Sequence, residues 1–105
     1  MNKKPCEMTY NLFFTNLANP LKISLILALR EKDLNVSELV KKMSVEQSKI
    51  SHALKCLKNC KIVNAKQDGK SRVYSLNKET ILPMLELIDK HSSLHCKNKC
   101  CMERK

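Results

Sequence analysis

The stretch that most constrains this chain runs from Gln47 to Ser75, where a predicted helix leads directly into a predicted β-hairpin. It contains seven lysines and arginines but only one acid, Asp68, so six of the chain's ten net positive charges lie within it. Basic charge concentrated on one helix and one hairpin favours a polyanionic partner. This layout is typical of a protein that binds double-stranded DNA.

The helix of this stretch is predicted from the spacing of its apolar residues. Ile50, Leu54 and Leu57 follow one another at intervals of four and three, which places them on one side of a helix that ends at about Cys60. The opposite side is polar and basic, and we expect it to face the major groove. The predicted DNA contacts on this helix are Gln47, Ser48, Lys49, Ser51, His52 and Lys55.

The hairpin is predicted from a turn signal between two β-prone runs, Ile62 to Lys66 and Arg72 to Leu76. Asp68-Gly69 lies between them, and Gly69 is the single glycine of the chain. It falls where a two-residue turn requires a positive φ. Such a hairpin after a helix-turn-helix is a wing, and Lys70 and Arg72 are its predicted contacts to the DNA backbone.

Four further helices are predicted around this unit. They cover residues 8–18, a buried segment that opens at Pro20, a short segment from Asn35 to about Met43 that starts with the capping pair Asn35 and Glu38, and a segment that starts near Thr80. The apolar stripe of the last helix has little left to cover, which predicts a dimer surface. That stripe consists of Ile81, Met84, Leu85 and Ile88. The predicted fold is mainly α with a small β-hairpin wing, a winged helix-turn-helix that forms a homodimer.

The length of 105 residues is that of a single domain. Within residues 1–105, we expect this domain over about residues 8–95 and a flexible, cysteine-rich tail over about residues 96–105. No apolar run approaches the length of a membrane span, and the N-terminus does not resemble a signal peptide, so we expect a cytoplasmic protein with no membrane partner. No paired carboxylates, glycine-rich phosphate loop or Ser/His/Asp set is found, which argues against an enzyme.

Several motifs in this framework resemble those of the ArsR/SmtB family of winged-helix, metal-sensing repressors. They are NPLKI before the buried helix, QSKISHALK in the fourth helix and DGKSRVYSL in the wing. The resemblance extends from about Phe14 to Leu76. It implies a homodimer that represses a promoter by binding operator DNA until an inducer, usually a metal or metalloid ion, binds to the protein.

The same resemblance points to one of the family's inducer sites. Arsenic and some cadmium sensors carry Cys-Val-Cys where this chain has Asn35-Val36-Ser37, and zinc sensors use positions on the last helix of which only His91 is retained. The remaining pattern is Cys-x3-Cys in the fourth helix with a tail cysteine, which resembles the CmtR-type cadmium/lead sensors. That resemblance implies the metal ligands Cys56 and Cys60 with about Cys101, beside which stand Cys100 and Cys96. The role of Cys6 stays open.

The chemistry of the cysteines leaves more than one inducer open. Cys56 and Cys60, one helical turn apart, are able to share one soft ion, and a third thiolate suits cadmium, lead or arsenic(III) better than zinc. Two such cysteines alone would more often be small buried hydrophobes. His91 and His95 have the same spacing but are predicted to be an exposed pair without metal. A thiol redox or persulfide sensor on the same fold is the alternative function.

Overall fold

The computed structural model describes residues 7–95. Its elements in chain order are α1 Glu7–Ala18, α2 Pro20–Glu31, β1 Leu34–Asn35, α3 Val36–Met43, α4 Gln47–Asn59, β2 Val63–Asp68, β3 Ser71–Leu76 and α5 Ile81–His95. The predicted fold class is confirmed, because the described residues are mainly helical and include a small antiparallel sheet in which β2 and β3 form the wing.

Helix α2 lies at the centre of the core. Pro20 occupies its first turn, where a missing N–H has no helical partner, and the Asn19 side chain accepts a hydrogen bond from the Lys22 backbone N–H at 3.0 Å. Its buried residues are Leu25, Ile26, Ala28 and Leu29. They form one cluster with buried residues of α3, α4, the sheet and α5, so removal of apolar surface from water holds these elements together.

Helices α3 and α4 form the helix-turn-helix. At the start of α3 the Asn35 side chain accepts from the Glu38 N–H, and the Glu38 carboxylate accepts from the Asn35 N–H, both at 2.8 Å. This reciprocal capping pair was predicted from the sequence. The helix ends at Ser44, which has a φ of 58°, and α4 begins after Glu46 without a side-chain cap. The predicted core stripe of α4 is confirmed, since Ile50, Leu54 and Leu57 are all fully buried.

Helix α4 ends one residue earlier than predicted, because Cys60 is its C-cap. Lys61 follows with a φ of 62°, and the N–H groups of Lys61 and Ile62 donate to the carbonyls of Lys58 and Leu57 at 3.0 and 2.9 Å. This is a Schellman motif with lysine at the position usually taken by glycine. The motif directs the chain from α4 into the wing.

The wing is an antiparallel hairpin in which Asp68 pairs with Ser71 at the tip. Gly69 has a φ of 66°, as predicted. The two-residue turn is Gly69-Lys70, one position later than the predicted pair, because Asp68 is still part of β2. Glycine at the first of the two turn positions is typical of a type II′ turn, whose twist matches that of the flanking strands.

A two-residue strand, β1, was not predicted. Leu34 and Asn35 pair with Tyr74 and Val73 of β3, which gives the sheet order β1-β3-β2. Two residues are too few to show the alternation by which strands are recognised. The strand joins the start of α3 to the wing, so the two elements that flank α4 are hydrogen-bonded to each other.

Helix α5 differs from the prediction in the role of its apolar stripe. Ile81 and Leu85 are buried in the core of their own domain, at 3% and 6% exposure, and are not available to a second copy. Asn77 fixes the start of the helix, because its side chain accepts from the Glu79 and Thr80 N–H groups. An ion pair between Arg30 of α2 and Asp89, at 2.8 Å, joins the helix to α2.

Three of the described helices expose large apolar side chains. These side chains are Tyr10, Leu12 and Phe14 on α1, Leu27 on α2, and Leu87, Ile88 and Leu94 on α5. Of the predicted dimer stripe only Ile88 is among these exposed residues. Within residues 7–95, no helix taken alone is long and apolar enough to cross a membrane, although α1 and α2 meet that criterion as a pair bent by 79°.

Candidate DNA-binding face and thiol pair

Helix α4 presents its polar side to solvent. The six residues predicted to contact DNA from this helix are all exposed: Gln47, Ser48, Lys49, Ser51, His52 and Lys55. The buried stripe holds the opposite side of the helix against the core. A rigidly held helix with an exposed polar and basic side has the form that enters a major groove, where side chains reach base edges and phosphates.

The wing adds two cations beside the start of α3. Lys70 and Arg72 are exposed, and together with Asn35 and Ser37 they line a cleft of about 190 Å³. The first N–H groups of a helix carry partial positive charge, which adds to that of the two side chains. The cleft therefore suits a phosphate of the DNA backbone, the partner predicted for Lys70 and Arg72.

A larger groove, of about 410 Å³, separates the start of α2 from α4. Ser48, Lys49 and His52 line its α4 side, and Lys22 lies on the α2 side. The three α4 residues are predicted DNA contacts, so Lys22 adds a cation to the same face. We refer below to this space as the α2–α4 groove.

The two cysteines of the described residues are free thiols, with Cys56 half-buried and Cys60 exposed. The Cys60 N–H donates to the Cys56 carbonyl at 3.1 Å, which keeps the two one helical turn apart. Among residues 7–95, no three His, Cys, Asp or Glu side chains are grouped to hold a metal ion. A three-thiolate site would need a donor from elsewhere. The other predicted ligands, Cys96, Cys100 and Cys101, lie outside the described residues, as does Cys6.

A buried side chain of α1 contacts Cys60. Asn16 is only 8% exposed, and its Nδ2 donates a hydrogen bond to Cys60 Sγ at 3.1 Å. Its Oδ1 accepts from Lys22 Nζ at 2.9 Å. Because a lysine ammonium is only a donor, the amide oxygen must face Lys22 and the amide N–H must face the sulfur. Asn16 thus joins the thiol pair to the cation of the α2–α4 groove.

Asn16 and Lys22 were not identified from the sequence. Asn16 is the one buried polar residue among those described, and its thiol partner is 44 residues away along the chain. The one available signal was its position on α1 next to Phe13 and Leu17, which pack against the core. An isolated asparagine on the apolar side of a helix indicates a hydrogen-bond partner but does not identify it.

The histidine pair of α5 is placed as predicted. The rings of His91 and His95 lie 4.8 Å apart between centroids, and both residues are exposed. They border a groove of about 500 Å³ that is lined mainly by apolar side chains, among them Leu87 and Leu94. This groove belongs to the exposed apolar side of α5 rather than to the thiol pair.

Comparison by sequence identifies relatives of the chain. Residues 19–65 match the protein family described as bacterial regulatory protein, arsR family. Over 79 residues the chain is 30% identical to a transcriptional repressor SmtB homologue from a Synechocystis species, a match that covers 75% of this chain and 60% of that protein. The chain thus spans less than two thirds of that relative's length.

A second relative is similar over most of both chains. Rv0081 of Mycobacterium tuberculosis, an uncharacterized HTH-type transcriptional regulator, is 31% identical over 91 residues, which cover 86% of this chain and 80% of that protein. Its crystal structure has a TM-score of 0.78 at 29% identity and covers 87% of this chain and 92% of that one. These relatives are regulators of transcription, not enzymes.

A third protein is similar to this chain in fold alone. The homodimeric winged helix-turn-helix DNA-binding domain of Mb0332 from Mycobacterium bovis, solved in solution, has a TM-score of 0.75 at 18% identity. The match covers 84% of this chain and 82% of that domain. The arrangement of α3, α4 and the wing is therefore that of a winged helix-turn-helix.

Proposed function

The chain belongs to the ArsR/SmtB family of bacterial regulatory proteins, and on this premise we propose that it is a cytoplasmic repressor that binds operator DNA as a homodimer. We further propose that a thiophilic ion, cadmium or lead, releases it from DNA. The observation that carries this proposal is that one helix bears both functions: α4 exposes the predicted DNA contacts along its length and has the two thiols at its end.

The DNA part of the proposal rests on charge and position. The exposed side of α4, the wing cations Lys70 and Arg72, and the start of α3 all carry positive charge or hydrogen-bond donors. Lysine and arginine side chains provide most of the affinity of a protein for phosphates, and exposed polar side chains of a helix in the groove read bases. The proposed contacts are Gln47, Ser48, Lys49, Ser51, His52, Lys55, Lys70 and Arg72.

The ion part rests on the chemistry of sulfur. Thiolates prefer soft ions, and two of them one helical turn apart present two donors from one helix. We assign the third donor to the tail of the partner protomer, with Cys101 as the first candidate and Cys100 and Cys96 beside it. Three thiolates suit cadmium or lead better than zinc, which usually takes four ligands.

Release from DNA would follow from the charge of the occupied ion site and from a restraint on the orientation of α4. Three neutral thiols that release their protons to solvent and bind a divalent ion as thiolates would leave one net negative charge at the end of the helix that faces phosphate. The crossed tail would also fix α4 relative to α5 and limit the orientation that α4 needs in the groove. Coupling between two such sites is usually about 1 to 3 kcal/mol, which corresponds to a loss of DNA affinity of about five- to 150-fold.

Two alternatives use the same residues. Arsenic(III) also takes three thiolates, and a redox or persulfide sensor would link sulfurs instead of binding an ion. The exposed position of Cys60 favours the redox or persulfide alternative, since a sulfur-linking reaction requires an accessible thiol.

The test is release from a labelled DNA duplex that the protein selects from a random-sequence pool. We expect cadmium or lead to reduce the fluorescence anisotropy and a chelator to restore it. Release by arsenite alone would support the arsenic alternative. Release by the metal-free oxidant diamide, reversed by dithiothreitol, would support the redox alternative, and no release by any of them would refute an inducer at the thiol pair.

A further inference from the structure

Three side chains from three elements form one continuous hydrogen-bonded path. Cys60 is the C-cap of α4, Asn16 lies on α1, and Lys22 lies in the first turn of α2. The two contacts are 3.1 Å from Asn16 Nδ2 to Cys60 Sγ and 2.9 Å from Lys22 Nζ to Asn16 Oδ1. One end of the path is a proposed ion ligand, and the other is a cation of the α2–α4 groove.

We infer that Asn16 is a positioning residue through which occupation of the thiol pair changes the availability of Lys22 to DNA. This inference rests on the proposed function, because it requires that Cys60 binds the inducer and that the α2–α4 groove faces DNA. It adds two residues, Asn16 and Lys22, and a physical route between the two sites.

The burial of Asn16 supports a role for the path. A polar side chain that is 8% exposed loses most of its water, so both of its hydrogen bonds must be made within the protein. No second polar or charged residue is buried among residues 9–95, and none of the buried polar side-chain atoms there is without a partner. A leucine or alanine here would complete the apolar side of α1 without this requirement, so packing alone does not account for asparagine.

The direction of the effect follows from charge. When Cys60 binds an ion as a thiolate, its S–H proton leaves to solvent and the sulfur becomes a charged acceptor. Hydrogen bonds to a charged acceptor are roughly twice as strong as those between neutral groups, and neighbouring bonds in a chain polarise one another. Lys22 is then held more firmly by Asn16, beside the new negative charge, and is less available to a phosphate in the groove.

Without the ion, Lys22 is free to exchange between Asn16 and a phosphate. Its ammonium is held by one neutral acceptor among the side chains described, and a phosphate oxygen is the stronger partner. The same lysine lies across the groove from Ser48, Lys49 and His52. The path therefore changes the strength of one phosphate contact per protomer without requiring a rearrangement of the fold.

Two substitutions at Asn16 should act in opposite directions. Asn16→Leu keeps the branching and the number of side-chain heavy atoms but removes both hydrogen bonds, so Lys22 is released and the ion-free protein should bind DNA at least as tightly as wild type. Asn16→Asp holds Lys22 with a permanent charge, so the ion-free protein should bind DNA more weakly. Asn11→Asp, the same charge change at an exposed position of α1, is the matched control and should have the smaller effect.

Lys22→Met tests the other end of the path. It should weaken DNA binding by the ion-free protein. It should also reduce the slope of the salt dependence by the amount that about one phosphate contact per protomer contributes. Adding Asn16→Asp to Lys22→Met should cause little further loss, because the charge that the aspartate holds is no longer present. Independent additive losses would show that Asn16 and Lys22 do not act together.

The decisive measurement is the ratio of DNA dissociation constants with and without cadmium, by fluorescence anisotropy on intact protein. Cadmium–thiolate absorbance serves as a separate readout that each variant still binds the ion. We expect the ratio to fall by about two- to 30-fold in Asn16→Leu and in Lys22→Met relative to wild type, the range found for residues in coupling networks. Thermal unfolding shows whether Asn16→Leu is folded. If Asn16→Leu is not folded, Lys22→Met alone is a full test of the inference.

Failure of this inference and failure of the proposed function give different results. If wild type is released by cadmium and both variants are released to the same extent, the inference is overturned while the proposed function stands. If wild type binds DNA but cadmium does not release it, the proposed function fails and the inference fails with it.

Discussion

Three of residues 7–95 adopt a positive φ, and each of them ends or turns an element: Ser44, Lys61 and Gly69. Gly69 was predictable because glycine accepts this conformation without a Cβ clash. Ser44 and Lys61 were not, because nothing in a serine or lysine signals it. At these two positions the surrounding helix ends impose the conformation, which costs roughly 1 to 2 kcal/mol for an L-residue.

Gly69→Val should damage the wing through the backbone alone. No atom lies within 4 Å of a Cβ built on Gly69, so a clash is not the cause. A β-branched residue at a φ of 66° carries strain of about 1 to 3 kcal/mol. We expect weaker DNA binding with unchanged cadmium–thiolate absorbance, and a milder effect for Gly69→Asn, since asparagine tolerates positive φ. Equal loss of DNA and ion binding would indicate that the whole fold has collapsed.

Lys61→Gly should stabilise the protein. It relieves the cost of a positive φ at the end of α4, and this gain exceeds the extra entropy that glycine loses on folding. Urea unfolding should show an increase of about 0.5 to 1 kcal/mol in the free energy of unfolding. Asn59→Gly, two positions earlier and in the last turn of the helix, should instead lower it by about 0.3 kcal/mol. A decrease in the free energy of unfolding for Lys61→Gly would mean that the lysine side chain stabilises the protein by more than its positive φ costs.

At the scale of whole elements, the sequence was sufficient where local signals were strong. The apolar stripe of α4, Pro20 at the start of α2 and the capping pair at α3 each act within a few residues, and all are found as predicted. The errors concern long-range packing. The burial of Ile81 and Leu85 depends on how α5 lies against the core, and β1 exists only because β3 is beside it.

The candidate site likewise combines residues that a local pattern predicts with residues that only long-range packing places. The predicted DNA contacts on α4 are exposed, as a helical pattern predicts, whereas Asn16 and Lys22 reach the site only through the packing of α1 and α2 against α4. A hydrogen bond between residues 44 apart in the chain leaves no periodic trace. The ligand role of the tail cysteines remains a prediction.

The capping pair of α3 can be tested directly. Asn35→Ala removes the oxygen that accepts from the Glu38 N–H at 2.8 Å, so one backbone N–H at the start of α3 loses its hydrogen-bond partner. The expected cost is about 1 kcal/mol in the free energy of unfolding, measured by urea denaturation. Ser37→Ala, two positions later and exposed, should change it far less. A loss below a few tenths of a kcal/mol for Asn35→Ala would show that solvent replaces the cap.

At the scale of the whole molecule, α5 leaves large apolar side chains exposed to solvent. Leu87 is 67% exposed and Leu94 is 59% exposed, which favours a second copy as the cover. Leu87→Glu should convert the dimer to a monomer in sedimentation equilibrium and lower DNA affinity. Glu86→Gln, the exposed neighbour, should leave the dimer intact. A wild-type monomer at micromolar concentration would contradict the homodimer.

The charge of the whole molecule predicts a steep salt dependence. A dimer that neutralises about four to eight phosphates should give a slope of about −4 to −7 for the logarithm of the association constant against the logarithm of salt concentration. The slope is measured by anisotropy between low and moderate salt. A flat response would contradict binding through the basic face of α4 and the wing.

The central claim is that the thiols of α4 control its binding to DNA. Serine at either position keeps the size of the side chain but replaces the soft sulfur donor with a hydroxyl. Cys56→Ser and Cys60→Ser should each bind DNA as wild type does and lose the response to cadmium or lead. Cys101→Ser should only weaken the response, because Cys100 or Cys96 partly substitutes.

The most direct test is the anisotropy of a labelled DNA duplex bound to Cys60→Ser, titrated with cadmium beside wild type. The account predicts release of wild type and continued binding of Cys60→Ser at the same cadmium concentrations. Release of Cys60→Ser at wild-type concentrations would contradict it, because the inducer would then act through the tail cysteines and not through α4.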